Sequence, residues 1–338
     1  MRRRRSPIAI DFGAQAVTVL QAVAHAGTVA VHAAARIGLP ATTDDDARQQ
    51  AWLDAAATAL QSGSFRGRSV ASAFDLAAVG TRHVRLPHDA LDDADSRIAA
   101  HVAPPGDDGE VAVCSLMVAD LLEQGERKRE FLCCVTPTTT IDRRIALLEK
   151  LRCLPHTIEF APLAMVRALQ HGGNASFAHL DIGAEDSRVT FVRSGQPLMV
   201  RRVRIGGERC RQLLEERLGL DLVALQTVVA AAPQDPALAK AIEDALAEPL
   251  EAIAGRIVEG IRYCGALFGG RAVTALQATG RVAHLPGFVA GLGHRVGLTT
   301  ELADPFTNVD PGPLAAASPA QRSTYTTALG LCLGGLAA

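Results

Sequence analysis

Apolar runs of five to eight residues alternate along this chain with longer helical patterns, and one signature occurs twice. Ile8-Ala9-Ile10-Asp11-Phe12-Gly13-Ala14 leads into Val17-Thr18-Val19-Leu20, and Ala178-His179-Leu180-Asp181-Ile182-Gly183-Ala184 leads into Arg188-Val189-Thr190-Phe191-Val192. Each reads as strand, Asp-x-Gly turn, strand, because Gly takes positive φ without a Cβ clash. Such a turn brings backbone N–H groups close to whatever lies above it, a setting that phosphate favours. Two copies about 170 residues apart predict two similar lobes, each offering one hairpin to a shared cleft.

Other elements follow from periodicity. A strand is expected over 29–35 and a helix over 44–60, opened by Asp44, Asp45 and Asp46, with Trp52, Leu53, Ala56, Ala59 and Leu60 at helical spacing. A short strand at 69–74 precedes a different block. There, strands are expected at 81–86, 110–118 and 130–135, the last two joined by the polar stretch 123–129. The block also holds a charged helix over 90–102, a loop over 104–109 and an amphipathic helix over 140–151. Residues 158–169 return to the first lobe, and Gly172-Gly173-Asn174 breaks the pattern before the second hairpin. A strand at 197–205 ends at Gly206-Gly207. Helices are expected over 208–217 and 237–268, then a strand at 273–278 and a turn at Thr279-Gly280. A helix at 288–296, a strand at 299–302, a loop at 303–306 and a small-residue helix over 325–336 close the chain.

Composition narrows the function. The chain has 338 residues, a net charge of −2, one Trp and two Tyr, which argues against a nucleic-acid binder and against aromatic stacking on single strands. The seven Cys have no regular spacing, so neither a zinc site nor a disulfide framework is indicated, and buried thiols are expected. No run of 18 apolar residues occurs, so no membrane span of its own is expected. Arg2 to Arg5 carry the charge of a signal-peptide n-region, but Asp11 interrupts the apolar run after them; a solvated basic tail is the expectation. Ten scattered His give no nucleophile–base set.

The repeated hairpin, with a third Gly turn after a late strand, resembles the actin, sugar-kinase and heat-shock-ATPase superfamily. The order of the short motifs Arg85-Leu86-Pro87, Glu159-Phe160-Ala161-Pro162, Ile205-Gly206-Gly207, Leu285-Pro286-Gly287-Phe288, Ala303-Asp304-Pro305-Phe306 and Ala328-Leu329-Gly330-Leu331 resembles the PilM family of type IV pilus assembly. The resemblance implies an α/β, actin-like (ribonuclease H-like) two-lobed fold. It implies a first lobe over 1–74 with 153–172 and 318–338, and an inserted 1C-type subdomain over 75–152, as in FtsA. The second lobe would span 173–317, with a helical part near 206–272. It also implies a nucleotide site at Asp11, Gly13, Gln15, Asp181, Gly183, Ser187, Gly280 and Arg281, with Mg²⁺ held through Asp11 and Asp181. The alternative for each Asp is a turn-capping role in a hairpin. Glu159 could position a water, or simply begin a helix.

The departures from the family pattern weaken ATP. Where the family has Ser residues and a Lys after its first strand, this chain has Ala14-Gln15-Ala16-Val17-Thr18. Where it has a Gly-rich third turn, this chain has Gly280-Arg281-Val282. Its Ala-Glu-x-x-Lys becomes Ala224-Leu225-Gln226-Thr227-Val228. A charge-assisted hydrogen bond contributes about 1.5–3 kcal/mol, and several are missing at once. The expectation is a cytoplasmic, non-catalytic scaffold of a pilus or related secretion machine. It would sit at the inner membrane through a bitopic PilN-like partner, with ATP and Mg²⁺ bound weakly or not at all. The alternatives are an active ATPase or kinase of the superfamily and an FtsA-like filament protein. The amphipathic membrane helix that ends FtsA has no counterpart in Gly334-Gly335-Leu336-Ala337-Ala338.

Overall fold

The computed structural model describes residues 3–42, 44–74, 77–89, 94–102, 110–169, 176–221, 224, 227, 235–268 and 273–337. The expected loop at 104–109, the breaker at 172–174, Leu225, Gln226 and Val228 lie outside these residues.

Alternation along the first hairpin explains the first lobe. Strand β1 (Arg4–Arg5) and β2 (Ile8–Phe12) lie along one side of β3 (Ala16–His25), and β4 (Thr28–Gly38) along the other. The sheet continues in parallel through β5 (Ser69–Phe74) to β9 (Leu154–Phe160). Ile8, Ile10 and Phe12 point to one face, under α1 (Asp45–Ser62) and α3 (Thr138–Lys150). Asp44 caps α1, accepting from the Ala47 N–H at 2.7 Å. Ala9 points to the other face, under α4 (Ala161–Leu169) and α10 (Thr326–Ala337). The short α9 (Pro319–Ser323), opened by a capping box between Ser318 and Gln321, leads into α10. Helices α4 and α10 touch closely: a Cβ at Gly330 would lie 1.8 Å from the Ala164 carbonyl oxygen.

The second lobe repeats the same plan. Strands β10 (Phe177–Ile182), β11 (Ser187–Arg193) and β12 (Gln196–Val203) form the antiparallel part. Strands β13 (Ala275–Thr279) and β14 (Thr299–Leu302) extend it in parallel from β10. The order β12-β11-β10-β13-β14 matches β4-β3-β2-β5-β9 strand for strand. Helices α5 (Gly207–Leu218), α6 (Pro236–Ala245), α7 (Ala247–Phe268) and α8 (Phe288–Val296) complete its core. The pattern expected as one helix over 237–268 is two, divided at Leu246. Pro249 lies in the first turn of the second, where its missing N–H costs no helical bond. Helix α4 bridges the lobes, placing Val166 against Phe177 and Val192.

Strands β6 (Gly80–Pro87), β7 (Val111–Glu123) and β8 (Glu126–Pro137) form a third sheet in the order β6-β8-β7, covered by α2 (Ala94–Val102). The polar stretch 123–129 is not the connector expected. The strands run on to a two-residue turn at Gln124-Gly125, both at positive φ (53° and 83°), the geometry that a twisted hairpin favours. Charge alternation had masked strand there: Glu123 pairs with Lys128 at 2.9 Å along the exposed face. Helix α3, expected within the insert, places Leu147 and Leu148 in the first-lobe core.

The insert docks on the second lobe through one buried carboxylate. Glu130 on β8 accepts from the Tyr263 hydroxyl of α7 at 2.6 Å, from Arg85 at 3.1 Å and from His83 Nδ1 at 2.8 Å. A carboxylate only accepts, so His83 carries its proton on Nδ1. Burial opposes ionisation of Glu130. The hydrogen bonds from His83 and Tyr263, the His83 charge and the Arg85 hydrogen bond outweigh it and hold the carboxyl down at about 2. A depressed carboxyl stabilises the fold above its ordinary 4.5 and loses that contribution as pH falls towards about 2. Glu130→Gln is therefore expected to cost about 2 kcal/mol at neutral pH. Urea melts of both proteins across pH should show that difference narrowing below pH 4.5 and closing near pH 2. A pH-independent difference would contradict it.

Candidate functional site

A cavity of about 560 Å³ lies between the lobes. Its floor is the two hairpins. The Gly13 N–H donates to the Ala16 carbonyl at 3.0 Å, and the Gly183 N–H to the Asp186 carbonyl at 2.9 Å, so both turns close alike. Of the residues expected from sequence, Asp11, Gly13, Gln15, Asp181, Gly183, Gly280 and Arg281 line the cavity together. Ser187 does not: it is fully buried and donates to the Ile205 carbonyl at 2.6 Å. It is the first residue of β11, and the pleat turns it inward. Glu159 is also elsewhere, held at 3.0 Å through both carboxylate oxygens by Arg167.

Cross-strand register decides what each Asp faces. Asp11 on β2 stands opposite Thr18 on β3, which stands opposite Arg36 on β4. At the same row of the second sheet, Asp181 stands opposite Arg188, which stands opposite Arg202. The matched rows thus differ at their middle residue: Thr in one lobe, Arg in the other. Arg188 uses this place to pair with Asp181 at 3.1 Å. Asp181 also accepts from the Thr279 hydroxyl at 3.0 Å, and that oxygen accepts in turn from His179 Nε2 at 2.8 Å. His179 is wholly buried; desolvation, aided by the Arg188 charge and opposed by Asp181, brings it down to about 4, so it is neutral near pH 7.

Further charges line the walls. Arg202 pairs with Asp186, and Arg48 of α1 reaches across to Glu185 of the second hairpin at 3.3 Å. Arg36 is pushed below its ordinary value by desolvation and then by the charge of Arg281, with Asp11 opposing. Gly280 allows the third turn: its φ is +96°, and a Cβ there would fall 2.3 Å from the Ile182 carbonyl oxygen. Arg281 and Val282 follow it into the cavity wall.

Arg144 of α3 is a cavity residue that sequence reasoning missed. Its guanidinium lies over the rings of Phe12 (4.8 Å), Phe74 (4.9 Å) and Trp52 (5.7 Å), and donates to the Ala73 carbonyl at 2.8 Å and the Ser72 hydroxyl at 3.1 Å. The Trp52 indole in turn donates to the Gly13 carbonyl at 2.9 Å. Arg144 thereby ties α3 to the first hairpin. Nothing in the local sequence marks it, because its partners come from three other elements.

A family model described as type IV pilus assembly protein PilM matches residues 9–336. Among solved structures, the chain is similar to the PilM-PilN type IV pilus biogenesis complex, with a TM-score of 0.78 at 20% identity over 98% of both chains. It is also similar to the ethanolamine utilization protein EutJ from Carboxydothermus hydrogenoformans, with a TM-score of 0.57 at 14% identity, over 98% of this chain and 90% of that one. No curated protein matches it in sequence. The fold is that of the actin-like ATPases.

Trp52 is the one tryptophan of the chain, so its emission reports on this wall. Arg144→Ala should lower stability by about 2–3 kcal/mol, the sum of two hydrogen bonds and the ring contacts, and shift that emission to the red. Arg144→Lys should recover little, since an ammonium cannot both lie flat on the rings and span two acceptors. Melting and emission like those of the parent protein would contradict the anchoring role.

Proposed function

The chain belongs to the type IV pilus assembly protein PilM family, and on that premise we propose that it is a non-catalytic cytoplasmic scaffold binding the short tail of a PilN-like inner-membrane protein. The observation that carries this reading is the match along 98% of both chains to the structure of the PilM-PilN complex. No helix among the described residues is long and apolar enough to cross a membrane, so attachment through a partner suits the chain. The insert offers an edge strand for such a tail: among the described residues β7 pairs only with β8, and Met117 and Leu122 on it are exposed. An extended tail adding to that edge would gain main-chain hydrogen bonds, with apolar side chains seated on Met117 and Leu122.

The reading as an active ATPase is disfavoured by the cavity itself. The residues present do not fit a nucleotide held through Mg²⁺. The carboxylate of Asp181 already carries the Arg188 guanidinium and the Thr279 hydroxyl. Among the described residues no group of three His, Cys, Asp or Glu side chains is placed to hold a metal ion. Among those residues, too, no lysine lines the cavity.

The test is titration with a fluorescent peptide of the PilN-like tail from the same genome. Binding in the micromolar range is expected, unchanged by added ATP and Mg²⁺. Met117→Asp and Leu122→Asp should each weaken it about tenfold or more, the loss of roughly one buried apolar side chain. The control should leave Gly183 alone, because a Cβ there would lie 2.8 Å from the Asp186 carbonyl oxygen. Ala14→Glu, at the cavity wall, should leave tail binding intact. No binding of the tail, or its loss in a folded Ala14→Glu protein, would overturn the scaffold reading.

A further inference from the structure

We propose that the cavity between the lobes binds a di- or triphosphate group without a metal ion, directly on arginine side chains, with the Arg188 guanidinium standing where a divalent cation would. The inference goes beyond the scaffold reading and does not depend on it.

Four observations support it. First, the two sheets present matched rows, and only the second puts an arginine directly beside its Asp. Arg188 meets Asp181 at 3.1 Å, and its Nη2 lies 3.4 Å from where a Cβ on Gly183 would be, over the bare turn. A divalent ion brought to Asp181 would meet a fixed positive charge, whereas a phosphate oxygen would meet a donor.

Second, three cavity arginines are uncommitted. Arg36, Arg143 and Arg281 line the space from β4, from α3 and from the turn after β13, and their side chains make no hydrogen bond or ion pair among the described residues. Desolvation and then the charge of Arg281 lower the Arg36 pKa, and an anion between the two arginines would relieve their repulsion.

Third, most of the nearby carboxylates are already neutralised. Asp181, Asp186 and Glu185 pair with Arg188, Arg202 and Arg48. Asp11 lies within electrostatic reach of Arg36, which it stabilises. Fourth, both turns line a volume of about 560 Å³, ample for a triphosphate and a nucleoside besides.

The probes are inorganic tripolyphosphate and ATP, each titrated into the full chain in EDTA and in excess Mg²⁺, with Trp52 emission and melting temperature as readouts. In EDTA both should shift the emission and raise the melting temperature. Mg²⁺ should weaken binding roughly tenfold or more, the reverse of an ordinary nucleotide site. Equal affinity for the two probes would identify a phosphate pocket; tighter ATP would add a nucleoside contact, and either supports the proposal. Arg281→Ala, at an exposed residue with no partner among the described residues, should cost roughly tenfold in affinity with folding unchanged. Arg188→Thr, which copies Thr18 of the matched row, should make Mg²⁺ favourable to binding. If Arg188→Thr does not fold, the Mg²⁺ comparison and Arg281→Ala decide alone. A requirement for Mg²⁺ in the parent protein, no response to either probe at millimolar concentration in EDTA, or an Arg281→Ala protein that binds as the parent does would overturn the proposal.

Discussion

Two backbone hydrogen bonds, Gly13 to Ala16 and Gly183 to Asp186, close the hairpins on which the cleft depends. A turn closed this way sets the register of the strands behind it. The residue seven positions after each Asp must then stand directly opposite that Asp. The chain cannot change this geometry without flipping every side chain of the strand to the other face. It can change the side chain at the opposed position, and it does: Thr18 in one lobe, Arg188 in the other. In the first lobe a neutral hydroxyl stands between Asp11 and Arg36 in the row. A guanidinium closes Asp181 to cations and turns that end of the cleft towards anions.

Two charges of opposite sign, one buried and one half-buried, tie the insert and α3 to the rest of the molecule. Glu130 meets Tyr263 of the second lobe, and Arg144, just past the third sheet, is gripped by rings and carbonyls of the first. Between these anchors, Cys134, Ile141, Phe74, Phe160 and Val200 form one small apolar cluster drawn from both lobes and the insert. Opening the cleft would therefore strain contacts of the insert. Charged anchors of this kind hold the insert in place. Each is costly to unpair, which favours one docked arrangement over a range of loose ones.

Much of this was legible in the sequence. The doubled Asp-x-Gly pattern stands out because a turn demands Gly and the strands behind it demand apolar alternation. Strands β5 and β14 and helix α8 fall at the expected residues because punctuation bounds them on both sides. The features that escaped notice are set by distant partners. The long β7–β8 hairpin was hidden by charges that pair across its exposed face. Ser187 was expected at the nucleotide site by the family resemblance, yet strand alternation buries it. Arg188 was within reach of sequence reasoning, since turn length alone places it opposite Asp181. Arg36 and Arg144 were not, because their neighbours come from other strands and helices. Five of the seven Cys are buried, as composition led one to expect.

The tolerance of the fold for these changes has a physical origin. The third turn needs Gly280 for its own packing against Ile182, whether or not a ligand approaches. Helices α4 and α10 need Gly330 for the same reason. Neither requirement refers to phosphate, metal or base. Arg36 and Arg281 are exposed at a sheet row and a turn, where one side chain can replace another without disturbing the core, and Arg188 is held on Asp181 beside them. The scaffold and the chemistry of its cleft can therefore vary independently. A chain can keep a full-length resemblance in fold at 20% identity while the side chains that line its cleft change.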